Sequence, residues 1–478
     1  MEISDKEKIT VDNLLENVSK RFQVFSTIVH AIGFCMGGFL SFALPLVELF
    51  PQFQCYDATT GGYTNCSRQE ACDSHNWAIN WEEERSIKNW ISDMNIYCIE
   101  KWKIGLFGSM YYFGYLLGSI VFVNVSDMYG RKICTRVSYI GHTIAFFFII
   151  FISNLYTRYA CIFLCGFVGS VRCSVSYTTG CEFLQKRYQI WSSTVTQMIN
   201  ACVPMFLAIY FWKITDYWIY FFLFTLTICV LNCINTFFIP ESPRWLFSQK
   251  RDQEAIGVLN SISKSKDRDK IPLHNDLRLE ENSNNSQEDC MEIIEKGPSP
   301  LTLLWKNRKD RYHLIIIASF WFVACIMNYL MNFYIKYVPI ERIFLMILLA
   351  AVAEFISKTL NGILISKMGF THATQFFQCV CIISAVIYII FFQRSEFIII
   401  VIFVLKLSAS ANFASMYFAC PTLFESKIAV TAYNLCNISG KIGAVIAPLL
   451  AEIPGRWPMI IFLGCSVISF LLICGIKA

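Results

Sequence analysis

Residues 104–153 read IGLFGSMYYFGYLLGSIVFVNVSDMYGRKICTRVSYIGHTIAFFFIIFIS. Two apolar runs, 104–126 and 133–153, are separated by a short charged turn. A hydrocarbon core roughly 30 Å thick takes about 20 predominantly apolar residues per helical crossing. The stretch therefore reads as two membrane helices joined by a tight hairpin. Working outward, the same length of apolar sequence recurs near 24–50, 157–180, 190–211 and 217–239, which completes a first set of six. A second set falls near 312–335, 341–365, 372–392, 397–419, 430–451 and 457–476. The expected fold class is an all-α membrane protein of twelve transmembrane helices in two six-helix bundles.

Composition agrees. Of 478 residues, 55% are hydrophobic and only 16% are charged, a balance that excludes an ordinary soluble domain. The net charge of +5 is modest and sits in loops, which argues against nucleic acid as a partner and names the lipid bilayer instead. Basic residues concentrate on alternate loops: Lys20 and Arg21, Arg131, Lys132 and Arg136, Lys186 and Arg187, then Lys250, Arg251, Lys306, Arg308, Lys309 and Arg311. By the positive-inside bias these loops and both termini are cytoplasmic. The N-terminus carries Asp5, Lys6, Glu7 and Lys8 and no early apolar run, so it does not read as a cleavable signal peptide. The expected location is multi-pass in the plasma membrane, as a monomer.

The chain divides into a cytoplasmic N-terminus 1–23, a bundle 24–245, a cytoplasmic linker 246–311 and a second bundle 312–478. Inserted in the first bundle is an outside loop, 51–103, with Cys55, Cys66, Cys72 and Cys98. An even number of cysteines in an oxidising compartment predicts two disulfides, of undetermined connectivity. Asn65-Cys66-Ser67 is a glycosylation sequon whose middle residue competes for a bridge. The linker is too polar from Ser263 to Pro300 to bury a core, although Gln253 to Leu259 reads as a short surface helix.

Particular motifs narrow the class. Ser126-Asp127-Met128-Tyr129-Gly130-Arg131-Lys132 resembles the turn between the second and third helices of the major facilitator superfamily, with Val123 where the family has a leading Gly. A turn with Gly at its tight position puts Asp127 near a helix N-terminus and within reach of cations, a charge latch for two rocking bundles. Pro240-Glu241-Ser242-Pro243-Arg244-Trp245-Leu246 is similar to a run shared by sugar porters and the organic ion (cation, anion, carnitine) transporter family. The seventh helix, with Trp321-Phe322 and Asn328-Tyr329, lacks the Gln-rich signature of sugar porters. The cysteine-bearing loop and Val11-Asp12-Asn13-Leu14-Leu15-Glu16 also resemble the organic ion family. The resemblance covers essentially the whole chain and implies the major facilitator fold of two pseudo-symmetric six-helix bundles.

Ionisable side chains at a helix centre cost roughly 2.5–3.5 kcal/mol on insertion scales, so they tend to face a polar cavity. Arg172, Glu354, Lys358, Lys406 and Lys441 are such positions. Glu354 and Lys358, four apart, are read either as a self-neutralising pair or as an acid beside a lysine offered to substrate. The resemblance implies a lysine at the Lys358 position in anion-transporting members, and a basic residue in place of an acidic one at Lys441. The register holds through Lys367 and Gly369, with Phe370 where the family has arginine. The same resemblance makes Lys406 common to the family and gives Arg172 no counterpart, leaving a helix carbonyl, an acid or substrate as its partner.

Gating is expected at Asp127, Gly130, Arg131, Lys132, Glu241 and Arg244. Glu182 with Arg187 resembles the family's gate pair. In the second half only Glu425 and Lys427 remain, beside Thr422 and Ala429. Tyr329, Phe413 and Tyr417, with Phe320, Trp321 and Tyr334, supply aromatic walls for flat substrates or cations.

No phosphate loop, HExxH run or nucleophile elbow occurs, so neither catalysis, a cofactor nor a metal is expected. The reading is a secondary transporter of small organic ions by alternating access, with anions favoured and a counter-transported anion or coupled ion as partner. The alternatives are a cation or zwitterion carrier, carnitine-like, and a non-transporting sensor on the same fold.

Overall fold

The structure is a computed structural model that describes residues 11–16, 18–57, 61–74, 76–263, 300–338, 342–391, 395–424 and 426–476. Among these residues, twelve helices are long and apolar enough to cross a membrane. They are α1 (Lys20–Val47), α2 (Lys101–Tyr129), α3 (Arg131–Phe151), α4 (Leu155–Val171, continued through Arg172–Ser176 and Tyr177–Glu182), α5 (Lys186–Ile209) and α6 (Trp218–Thr236). The second half holds α7 (Arg308–Tyr334), α8 (Ile343–Met368), α9 (Phe370–Ile390), α10 (Ser395–Leu423), α11 (Ser426–Ala451) and α12 (Trp457–Cys474).

The two halves repeat one packing scheme. In the first half α1 packs on α5 and α6, α2 on α4, and α3 on α4 and α6. In the second α7 packs on α11 and α12, α8 on α10, and α9 on α10 and α12. Adding six to each number converts one set into the other. Between the halves the same operation relates the two large contacts, α2 against α11 and α5 against α8. This is the geometry of an internal repeat.

One end of the molecule carries the cysteine loop and is called the sheet end. There β1 (Phe53–Asp57) pairs antiparallel with β2 (Gly62–Cys66) and β3 (Trp77–Ile79), in the order β2-β1-β3. Cys55 is bonded to Cys66 across β1 and β2, and Cys72 to Cys98. Asn65 is exposed beside the first bridge. The loop is fastened to the first half: the Asn89 side-chain amide donates to the carbonyls of Leu46 (3.1 Å) and Leu49 (2.7 Å). Trp90 is buried against Phe107, Trp218 and Phe222, with the Arg158 guanidinium 5.2 Å from its ring centroid.

The other end, where α6 leads into the linker, is called the linker end. A helix Asp252–Ile262 buries Ile256, Leu259 and Ile262 with Leu14, Leu15 and Phe183, which seats the start of the linker and the N-terminal helix Val11–Glu16 on the first half. The remainder of the polar linker expected from Ser263 to Pro300 falls, but for its two end residues, outside the described residues.

Candidate functional site

Where α2 meets α11, Gly105 and Gly108 let the two helices touch. A Cβ at Gly108 would lie 2.7 Å from the Pro448 ring and 2.6 Å from Phe333, and one at Gly105 3.0 Å from the Pro448 carbonyl oxygen. The Ser109 hydroxyl donates to the Val445 carbonyl at 2.7 Å. Two turns deeper the same pair of helices opposes Lys441 and Tyr115, with the Lys441 Nζ 4.2 Å from the ring centroid of Tyr115. Among the described residues no carboxylate pairs with Lys441. Cys173 of α4 and Cys325 of α7 lie within its electrostatic range. The lysine that the sequence marks thus stands between the halves, with an aromatic face as its described partner.

A second cluster lies on α7, α8 and α10. Glu354 Oε2 is 3.2 Å from Lys406 Nζ, and Glu354 Oε1 is 3.7 Å from Lys358 Nζ. Lys406 is buried and also donates to Asn332 at 2.5 Å and Asn328 at 3.3 Å. Glu354 is therefore held by two lysines, and the self-neutralising reading accounts for Lys358. Glu354 and Lys406, but not Lys358, line a cavity of about 50 Å³ with Phe42, Pro204, Met331 and Ile402. That is room for a water or two rather than for an organic ion. Among the described residues of this cluster one carboxylate stands between two lysines.

Aromatic rings join the halves. Tyr112 of α2 lies 4.5 Å from Tyr329, Tyr329 lies 5.8 Å from Phe413, and Phe413 lies 6.0 Å from Tyr417. Trp321 and Tyr433 flank Tyr417 at 5.7 and 6.4 Å. Tyr417 is nonetheless 46% exposed. Phe320 and Tyr334, offered with it as cavity walls, are buried, and Tyr334 packs on Tyr388.

At the linker end the turn is held by Glu241. Gly130 has φ 102°, closed to most side chains, and a Cβ there would lie 2.5 Å from Glu241 Oε2. Glu241 uses the space: its carboxylate accepts from the backbone N–H of Arg131 (3.1 Å) and Lys132 (3.1 Å), capping the N-terminus of α3. Glu182 pairs with Arg131 at 3.6 Å. Arg244 donates to the carbonyls of Glu182 and Leu184, at 3.3 Å each. The partner expected for Glu182, Arg187, has its side chain outside the described residues, as do Asp127 and Lys427, and Glu425 lies wholly outside them.

Sequence reasoning missed the most deeply buried charge cluster. At the sheet end Lys336, at the end of α7, is 2.8 Å from both Glu48 and Glu452, which follow α1 and α11, and all three are buried. Tyr337 donates to Glu452. The Arg85 guanidinium of the cysteine loop donates to the Lys336 carbonyl at 2.8 Å. Each residue lies at a helix end, where a charge reads as interfacial. The one available signal was Glu48 inside the apolar run 24–50 with no basic residue near it.

Two bundles related by an internal repeat, meeting over lysines and aromatics, define a class. The profile of the Major Facilitator Superfamily matches residues 27–448, and the chain belongs to that superfamily. Within it the chain is similar to organic ion transporters. Organic cation/carnitine transporter 4 of Arabidopsis thaliana is 21% identical over 98% of this chain and 88% of its own length. Human solute carrier family 22 member 2 is 24% identical over 72% of this chain and 66% of its own length. The fold is shared with the xylose transporter XylE from E. coli in a partially occluded inward open conformation, at TM-score 0.62 over 96% of this chain and 100% of that chain, with 12% identity.

Proposed function

We propose that this chain is a secondary transporter that carries small organic anions across the plasma membrane by alternating access, with the sheet end outside and both termini in the cytoplasm. The observation that supports it is Lys441: a cation at the inter-half interface, with the face of Tyr115 and no carboxylate as its described partner. Lys441 is half-buried, and a charge partly taken out of water gains from a partner. An anionic substrate supplies the pair, and Glu354 does not compete because Lys406 and Lys358 hold it. Tyr329, Phe413 and Tyr417 offer faces to the organic part. An anion entering against an inside-negative potential is opposed by about 2.3 kcal/mol per charge per 100 mV, and exchange for an internal anion removes that penalty.

The names of the relatives favour a second reading, a zwitterion of the carnitine kind. Its carboxylate would take Lys441 and its quaternary ammonium the aromatic faces. Both readings give Lys441 an anionic partner.

The test is uptake into proteoliposomes with anionic, zwitterionic and cationic competitors. Anions compete best if the first reading holds. Lys441→Met lowers the affinity for the best competitor by about 10–100-fold, the loss of one charge-assisted contact. Inhibition by cations alone, or unchanged affinity in Lys441→Met, refutes the assignment. Binding without filling of the vesicle lumen would identify a sensor instead.

A further inference from the structure

Arg172 of α4 is fully buried, and Lys406 and Lys441 stand between helices. Another cation of the first half lies outside the bundle. Arg21, in the first turn of α1, is exposed, and among the described residues neither a hydrogen bond nor a carboxylate engages its guanidinium. It borders a cavity of about 450 Å³ at the linker end, far larger than the one beside Glu354 and within the roughly 300–1,000 Å³ of small-molecule sites.

Three segments build this cavity. The chain entering α1 supplies Ser19 and Arg21, the chain leaving α6 supplies Phe238, and the end of the helix Asp252–Ile262 supplies Ser261 and the following Ser263. Backbone contacts hold them together: the Ser19 N–H donates to the Ile262 carbonyl at 3.0 Å, and Val18 bridges to Ser263. The Ser261 and Ser263 hydroxyls each donate at 2.7 Å to the carbonyls of Val258 and Leu259, which leaves their oxygens able to accept. Among the described residues no acidic side chain lines the cavity, and Lys20 is exposed beside Arg21. Basic pockets at a membrane surface take anionic headgroups.

The surface below the cavity narrows the ligand further. Val24 and Ile28 follow Arg21 on one exposed face of α1, and Ile234 and Leu231 precede Phe238 on one exposed face of α6. Arg21 and Phe238 line the same cavity and α1 packs on α6, so the two apolar faces descend from it together for about 10 Å. A positive, hydroxyl-bearing cavity at the head of an apolar seam fits a molecule with an anionic head and acyl chains. A soluble anion would leave the seam bare, and a choline headgroup would bring its own cation to Arg21.

We propose that this cavity binds the headgroup of an anionic phospholipid from the leaflet at the linker end, with the phosphate on Arg21, headgroup hydroxyls on Ser261 and Ser263, and an acyl chain along the α1–α6 seam. The lipid joins the entry to α1, the exit from α6 and the start of the linker, and so fastens the linker to the first half. It needs only the membrane embedding, because a transporter and a sensor on this fold present the same seam.

Thermal unfolding of the purified full-length protein in a neutral detergent tests it, with short-chain phosphatidylinositol added, against short-chain phosphatidylcholine and against glycerophosphoinositol, the same head without chains. The wild-type midpoint rises saturably with phosphatidylinositol alone. Arg21→Gln raises the half-saturating concentration about threefold to tenfold, the loss of one exposed charge-assisted contact. Ser261→Trp, which fills the cavity from an exposed position, raises it at least as much. Lys309→Gln, which removes an exposed positive charge at the start of α7, leaves it unchanged. A midpoint indifferent to phosphatidylinositol, or an equal response to phosphatidylcholine, overturns the proposal. So does an equal response to glycerophosphoinositol, which would mark a site for a soluble anion. A half-saturating concentration raised as much by Lys309→Gln as by Arg21→Gln would show diffuse surface charge and overturn it too. Should Arg21→Gln fail to fold, an unchanged concentration in Ser261→Trp overturns it equally.

Discussion

The two ends of the molecule spend their charges in opposite ways. At the sheet end Lys336, from the second half, sits between Glu48 of the first half and Glu452 of its own, so one of its two ion pairs runs from one bundle to the other. At the linker end the described contacts of Glu241, Arg131, Glu182 and Arg244 join elements of one bundle, tying the α2–α3 turn, the end of α4 and the segment after α6 together. The first arrangement locks two bodies; the second stiffens one. A transporter held in this way is shut on the sheet side, and on the linker side it presents a rigid rim that can move as a unit.

Lys336→Met breaks this contrast most strongly. It leaves two buried carboxylates without their cation, at a cost of about 3–5 kcal/mol to the closed arrangement. Spin labels at the exposed residues Tyr156 and Trp457 should then report a longer sheet-end distance in most molecules. An unchanged distance would mean that the triad does not hold the halves together.

A smaller effect follows from pH. Burial pushes the Glu48 carboxyl up to about 7, opposed by Lys336 and aided by Glu452. Tyr112, Tyr159 and Tyr337 lie within its electrostatic range. When the sheet end opens and Glu48 meets water, its pKa returns to about 4.3. The closed form then binds the proton more tightly, so acid favours closure and alkali weakens it. Between pH 8 and pH 6 the closed-to-open ratio rises by about tenfold. The same label pair measures it, and Glu48→Gln should flatten the dependence.

The smallest effect is expected from Glu241→Gln, which keeps the shape of the cap on α3 and removes its charge. A charged N-terminal cap contributes about 1 kcal/mol, so the thermal midpoint falls by a few degrees while the label distance at the sheet end stays put. A sheet-end distance that changed would show that the two ends are not as separate as drawn.

The fold was legible because each membrane helix announces itself locally by some 20 apolar residues. Lys441 was legible for the same reason, as a charge inside such a run. The Glu48–Lys336–Glu452 cluster was not, since its members end three different helices and only the packing of α1, α7 and α11 brings them together. Lys406 was set aside as a family residue, although it is the closer of the two partners of Glu354. Glu241 was read as a gate charge within its motif, but its ligands are the backbone N–H groups that begin α3, which lie 109 and 110 residues away and carry no mark in the side-chain pattern.

The contact of Gly105 and Gly108 with Pro448 has a mechanical consequence. A close contact of this kind on the α2–α11 seam can serve as a pivot while the sheet end is shut. Measured along α2 at about 1.5 Å per residue, Tyr115 lies about 10 Å from that pivot and Tyr129 about 31 Å. A rotation of about 10° would then carry the linker rim through about 5 Å but displace Tyr115 against Lys441 by about 2 Å. The molecule would then behave as a long-handled tool whose jaw is close to the hinge: Lys441 and Tyr115 travel least, and the linker rim travels most.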